Sequence, residues 1–223
     1  MSKLFVVATP IGNLEDITLR ALRILGEVEL ILAEDTRQTK KLLNKYEIKT
    51  PLSSYHKFNI KSKTEYLVDQ IKQGKIMALV SDSGMPAISD PGYELIRESA
   101  AQGIQVEVIP GPSASLTALV ASGLPTDEFI FKGFLPKKPG KRRKALEKLQ
   151  NFAGSIIIYE SPYRVVKTLG DIEQVLGSRQ VAVCRELTKK FEEIIRGKVG
   201  DIIERLKDKK VKGEVVLVVE GSR

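Results

Sequence analysis

Val80-Ser81-Asp82-Ser83-Gly84-Met85-Pro86-Ala87-Ile88-Ser89-Asp90-Pro91-Gly92 is the stretch that decides the fold. An apolar run at residues 75–80 reads as a buried strand, and a helical pattern runs from Pro91 to about Ala101. Small residues, two prolines, two glycines and two aspartates between them predict a tight polar loop at a strand's carboxyl end. In open α/β sheets, small ligands bind there. Glycine lets backbone approach a ligand closely. Pro86 and Pro91 restrict the loop, so binding has less to order. Asp82 can accept hydrogen bonds from an ammonium or a hydroxyl group. Asp90-Pro91 has a second reading, since a helix start also favours Asp followed by Pro. A second such loop, Ile109-Pro110-Gly111-Pro112-Ser113-Ala114, follows the next strand.

Outward from these loops, strands and helices alternate, which argues for a parallel-rich α/β architecture. Strands are predicted at residues 3–8, 29–33, 106–109, 129–134, 155–159, 180–186, 192–198 and 213–220, with residues 50–54 extended or loop. Helices are predicted at 17–25 (capped by Asp16), 36–46, 59–73, 113–122, 143–151, 163–169 and 201–206. Residues 135–142 read as a basic loop. A boundary near Ser122-Gly123-Leu124-Pro125 gives two α/β domains, residues 1–122 and 123–223, with a cleft between them.

The 223 residues carry a formal charge of +8 and a pI of about 9.4, which favours an anionic partner, nucleic acid first. One cysteine, Cys184, excludes an internal disulfide and reads as a small core residue in Val181-Ala182-Val183-Cys184. With one histidine, His56, a zinc site or a histidine-based nucleophile relay is not expected. No apolar stretch reaches membrane-spanning length, and the amino-terminal run reads as a first strand and not a signal peptide. A reducing, cytoplasmic compartment is the default expectation.

Seven segments, in order and spacing, match one family. They are Thr9-Pro10-Ile11-Gly12-Asn13-Leu14-Glu15-Asp16, Ala33-Glu34-Asp35-Thr36-Arg37, the 81–92 loop, Pro110-Gly111-Pro112-Ser113-Ala114, Gly133-Phe134-Leu135-Pro136, Tyr159-Glu160-Ser161-Pro162-Tyr163-Arg164 and Arg185-Glu186-Leu187-Thr188-Lys189. Over nearly its whole length the chain resembles the small-subunit ribosomal RNA cytidine 2′-O-methyltransferases, a branch of the tetrapyrrole methylase superfamily. The resemblance implies two α/β domains with S-adenosylmethionine folded between them, and a homodimer. It assigns the donor to Ser81, Asp82, Ser83, Gly84, Pro86, Ala87 and Ile88, to Pro112, Ser113 and Ala114, to Phe134 and Leu135, to Tyr159, and to Gly213 and Glu214 on the last strand. No GxGxxG fingerprint follows the first strand, and Gly12-Asn13-Leu14 lacks its spacing. Members of the branch commonly continue into a helical tail, whereas this sequence ends at Arg223.

Methyl transfer to a ribose hydroxyl needs alignment, exclusion of water and acceptance of a proton. The candidates are Asp35, Glu186 and Lys189; the alternative reading makes Glu34, Asp35 and Glu186 structural ion partners of Arg37 and Arg185. Lys137, Lys138, Lys141, Arg142, Arg143 and Lys144 form a run without acids, suited to RNA phosphates or simply to water. Lys57, Lys61, Lys63, Arg37, Lys40 and Lys41 extend that surface. Tyr55 and Phe58 beside His56 have the chemistry to stack a base, and Phe58 equally suits a core. Two other functions fit the same segments. One is a tetrapyrrole methyltransferase whose basic loop holds acidic porphyrinoid groups; the other is a non-catalytic RNA-binding protein.

Overall fold

The computed structural model describes residues 2–58 and 60–222, the side chain of Lys61 lying outside that description. The chain forms two units, Met1–Ser113 and Ala114–Arg223. In the first, β1 (Lys3–Val7), β2 (Leu30–Ala33), β3 (Leu52–Ser54), β4 (Ile76–Val80) and β5 (Gln105–Ile109) make one sheet in the order β3-β2-β4-β1-β5. Every pairing is parallel. Its central strands are apolar runs because both faces are covered. Phe5, Val7, Ile31, Ala33, Ala78 and Val80 face one cluster with α1 (Leu19–Glu27) and α2 (Thr36–Lys45). Leu4, Leu32, Met77 and Leu79 face the opposite cluster with α3 (Ile60–Lys72) and α4 (Tyr93–Ala101). The chain therefore leaves β1 and β2 toward one face and β4 toward the other. With β4 lying between β2 and β1, a crevice opens at its carboxyl end.

Two helix starts differ from expectation. Thr18, not Asp16, caps α1, its hydroxyl accepting from Ala21 N at 3.1 Å. Asp16 instead closes a 3-10 turn, Leu14–Asp16, which the Asn13 side chain initiates. Asp90 does not cap α4; Gly92 does, without a side-chain bond. Residues 87–91 close on themselves through Ala87 N donating to Pro91 O at 3.3 Å. Gly92 is required there: its φ is +139°, and a Cβ would stand 2.8 Å from Leu79 Cδ2. The expected start of the third helix at Asn59 lies outside the described residues.

The second unit contains α5 (Ala114–Ser122), β6 (Phe129–Phe134), α6 (Pro139–Glu147), β7 (Ser155–Glu160), α7 (Val165–Leu176), β8 (Gln180–Arg185), β9 (Glu193–Lys198), α8 (Val199–Leu206) and β10 (Val215–Val219). Its sheet runs β6-β7-β10-β8-β9. Only β6 and β7 pair in parallel; the other pairs are antiparallel, so the parallel-rich expectation fits the first unit alone. One sheet face packs Ile156, Ile158, Val183 and Leu217 against α6, α7 and α8. α5 covers the other face, packing on β7, β8 and β10. Arg196 Nε donates to Ala121 O at 3.0 Å, and Cys184 Sγ lies 3.8 Å from Ala118 O. For that reason the division falls before α5 and not after residue 122, where the sequence predicts it. Cys184 is fully buried, and burial pushes its thiol up to about 11.

Candidate functional site

The carboxyl end of the first sheet gathers the loops after β1, β2, β4 and β5. The first and third are stitched together. Thr9 N donates to Gly84 O at 2.9 Å, Gly84 N donates to Thr9 O at 3.0 Å, and the buried Thr9 hydroxyl donates to Ser81 O at 3.1 Å. Ser81 is buried, with its hydroxyl donating to Gly84 O at 3.0 Å. Gly84 and Pro86 are buried, while Asp82, Ser83 and Ile88 are exposed. Gly84, Ala87, Ser89 and Gly92 all have positive φ, at 81°, 67°, 67° and 139°. For Ala87 and Ser89 that conformation costs about 1–3 kcal/mol each, strain of the kind that concentrates where backbone must meet a ligand. Pro112 and Ser113 are half-buried at the end of this unit. Ala114 opens α5 in the next.

The electrostatics of this end come from four carboxyls. Asp82 Oδ1 accepts Asp35 N at 2.9 Å, tying the exit of β2 to that of β4. Lost hydration raises Asp82 above the usual carboxylate range, with the charge of Asp35 adding to it. Glu34 is raised for the same reason, Asp82 being the next cause. Asp90 lies beside Ser81, and burial, then Glu34 and Asp82, push it up to about 7. Asp35 is the opposite case. It caps α2 by accepting Arg37 N at 2.9 Å and grips the Arg37 guanidinium at 2.6 Å, which holds it at about 2. A carboxylate that weakly basic is a poor proton acceptor. Asp90, read from sequence as a cap, is matched to proton transfer near neutral pH. The signal for it was its place in the loop, two residues before Gly92.

The predicted residues of the second unit form two groups. Phe134 is 60 % exposed, and its ring meets Tyr159 edge-on at 5.7 Å. Leu135 is 4 % exposed and belongs to the core. Glu160, one residue beyond the predicted strand, is buried: it accepts Ser161 N at 2.6 Å and the Thr168 hydroxyl at 2.6 Å, and pairs with Arg164. The other group lies after β8. Glu186 Oε1 accepts Lys189 Nζ at 3.0 Å and Glu214 N at 3.0 Å, and Lys189 also reaches Glu214 at 2.8 Å. The Glu214 backbone bond, then Lys189, holds Glu186 below its usual range, burial opposing. Burial pulls Lys189 down, but Glu214 and Glu186 outweigh it and raise it. Gly213 has φ +84°, which strains any other residue, and a Cβ there would displace the Glu186 carboxylate, 2.3 Å away. Gly213 and Glu214 precede β10 and do not lie on it. Arg185 pairs with Glu193 at 3.3 Å and not with Glu186.

The basic run is helical from Pro139, so the expected loop shrinks to residues 135–138. Pro139 is pre-set for a first helical turn. Lys137, Lys138, Lys141 and Lys144 are exposed. Arg142 is not: its guanidinium is 4 % exposed and bonded to Asp171 at 2.5 Å, which withdraws it from any RNA surface. Arg143 also reaches Asp171, at 3.1 Å, with its side chain 39 % exposed. Tyr55 is buried with its hydroxyl 2.8 Å from Thr64, so it cannot stack a base, whereas Phe58 is 86 % exposed. Lys63 bonds Ser54 O at 2.8 Å, and the side chain of Lys61 lies outside the described residues. Among the described residues no helix is long and apolar enough to cross a membrane.

The profile of the family described as tetrapyrrole (corrin/porphyrin) methylases matches residues 3–203. A protein of Halalkalibacterium halodurans named ribosomal RNA small subunit methyltransferase I is 52 % identical over 98 % of this chain and 76 % of its own length. Its namesake in Thermotoga maritima is 50 % identical over 100 % of both chains. Among solved structures, a cobalt-precorrin-4 methyltransferase of cobalamin biosynthesis superposes with a TM-score of 0.73 at 18 % identity, covering 98 % of this chain and 95 % of its own. A diphthine synthase gives 0.72 at 15 %, covering 98 % and 89 %. These two neighbours share the fold. The family profile and the half-identical relatives establish that the chain belongs to the tetrapyrrole methylases, within the group of ribosomal RNA small subunit methyltransferase I.

Proposed function

We propose that the protein transfers a methyl group from S-adenosylmethionine to the 2′-hydroxyl of a cytidine in small-subunit ribosomal RNA. The observation that carries this reading is the identity of about half, over essentially the whole chain, with relatives named ribosomal RNA small subunit methyltransferase I. The first unit fits such a donor: a strained, hydroxyl-braced loop at a parallel sheet's carboxyl end, with carboxyls above their usual range facing a cationic molecule. When bound, S-adenosylmethionine supplies an electrophilic methyl on a positive sulfur. Residues 81–88 with Pro112 and Ser113 would hold it, and Ala114, Phe134, Leu135, Tyr159, Gly213 and Glu214 are proposed as further donor residues. Asp90 is the carboxyl suited to accept the hydroxyl proton. Lys189 stays a fixed cation, and Glu186 keeps it in place.

RNA contact falls to Lys137, Lys138, Lys141 and Lys144, with Arg143 in part. Lys137, Lys138 and Lys141 stand at the amino end of α6, which no side chain caps and whose dipole adds positive potential, while Lys144 lies in its last turn. The reading includes a homodimer in the cytoplasm, which sedimentation and fractionation test. The decisive experiment incubates the purified chain with labelled donor and small subunits lacking the modification, then maps the label by mass spectrometry. A methylated cytidine ribose is expected. Label on a uroporphyrinogen-type substrate instead, or RNA binding with no calorimetric response to S-adenosylhomocysteine, overturns it.

A further inference from the structure

The strand order β3-β2-β4 lays three loops side by side. Ala33 pairs with Ser54 on one side and Val80 on the other. Tyr55 N donates to Ala33 O at 2.7 Å, and Asp35 N donates to Asp82 Oδ1 at 2.9 Å. Glu34 therefore stands between the loop that leaves β4 and the segment His56-Lys57-Phe58 that leaves β3. It is half-buried, and the charges acting on it are Asp82, Lys57, His56 and Asp35.

Tyr55 is a core anchor, and immediately beyond it the chain turns Phe58 outward to 86 % exposure. An aromatic ring so exposed gains little from burial. Lys57 Nζ lies 5.2 Å from its centroid, and the His56 ring meets it edge-on at 5.9 Å. A π-surface, a cation and a partly desolvated carboxyl thus adjoin the loop proposed to take the donor. The same chemistry recognises an unpaired nucleobase: the ring stacks the base, the cation faces a phosphate, and the carboxylate accepts an exocyclic amine.

We propose that Phe58 and Glu34 form a nucleobase subsite, in which an unpaired amino-bearing base stacks on Phe58 and donates its amine to the Glu34 carboxylate. Cytosine offers N4–H2 to that carboxylate. Uracil offers a carbonyl, which leaves two acceptors facing each other without a proton. Glu34 and Phe58 would then set which base is taken, and Lys57 would hold the adjoining phosphate. This inference rests on the ribose methyltransferase reading.

The test uses the purified full chain and small subunits carrying cytosine, or uracil in its place, at the mapped methylation position. Label transfer gives kcat/KM for wild type, Glu34→Gln, Phe58→Ala and Phe58→Trp. Wild type is expected to prefer cytosine by roughly tenfold or more, as one well-made base contact provides. Glu34→Gln, whose amide both donates and accepts, should bring the ratio near one. Phe58→Ala should lower transfer to both subunits roughly five- to hundredfold, chiefly through KM, and Phe58→Trp should restore it. Affinity for S-adenosylhomocysteine, by calorimetry, should stay unchanged in all three variants and so report an intact fold. A cytosine preference that survives Glu34→Gln, or a KM unmoved by Phe58→Ala, overturns the subsite while leaving the methyltransferase reading intact. Donor affinity lost in Glu34→Gln also overturns it, because Glu34 then serves the donor. No transfer by wild type to either subunit removes the parent reading and this one with it.

Discussion

Three carboxyls at the end of the first sheet and the acids of the second unit meet charge in opposite ways. In the first, Glu34, Asp82 and Asp90 crowd the carboxyl end of a parallel sheet, and each is held above its usual range by lost hydration and by like charge. In the second, acids are matched. Asp171 meets Arg142 and Arg143, Glu160 meets Arg164, and Glu186 meets Lys189. Matched charges fix geometry; crowded ones retain the capacity to take up a proton or attract a cation. The contrast separates acids that hold the second unit's geometry from a sheet end in the first whose raised carboxyls lack ion-pair partners among the described residues.

Breaking the matched side should produce the largest effect. Asp171→Ala leaves the Arg142 guanidinium buried without its partner, and about 3–5 kcal/mol of stability should be lost in denaturant unfolding. Unfolding unchanged within about 1 kcal/mol would show the pair to be idle. On the crowded side, Asp90→Asn should lower methyl transfer about a hundredfold at pH 7, whereas Asp35→Asn should cost less than tenfold. The reverse ranking would return the proton to the β2 exit.

Asp90 also bears on stability. Its carboxyl stays protonated in the folded chain up to about 7 but ionises from 3.8 when unfolded. Between those values the folded form binds more protons, so wild-type stability should fall as pH rises through the window. Asp90→Asn should flatten that decline, measured as melting temperature from pH 4 to 8; an unchanged slope assigns it elsewhere. The smallest effect concerns the exposed lysines. Changing Lys137, Lys138, Lys141 and Lys144 to Ala together should flatten the salt dependence of RNA affinity by up to about one per lost phosphate contact, equally for all sequences. Arg142 variants should alter stability and leave that slope unchanged.

Much of the scaffold was legible because parallel strands covered on both faces announce themselves as apolar runs, as at Lys3–Val7 and Ile76–Val80. The loops at their carboxyl ends followed from small residues and proline. What escaped depended on distant partners. Arg142 looks like its lysine neighbours until Asp171, 29 residues on, takes it inside. Asp35 resembles a base until Arg37 and the α2 amino end claim it. Asp90 resembles a cap until Gly92 supplies the turn. The turn residues at Ser122-Gly123-Leu124-Pro125 place α5 with the first unit, whereas its packing on β7, β8 and β10 places it with the second.

The lone thiol at residue 184 sits sealed beneath α5 with its proton tightly held. A maleimide or disulfide reagent can react with it only after that helix lifts from the sheet. The chain thus carries a built-in chemical clock for opening of its second half, read by labelling rate without any introduced probe.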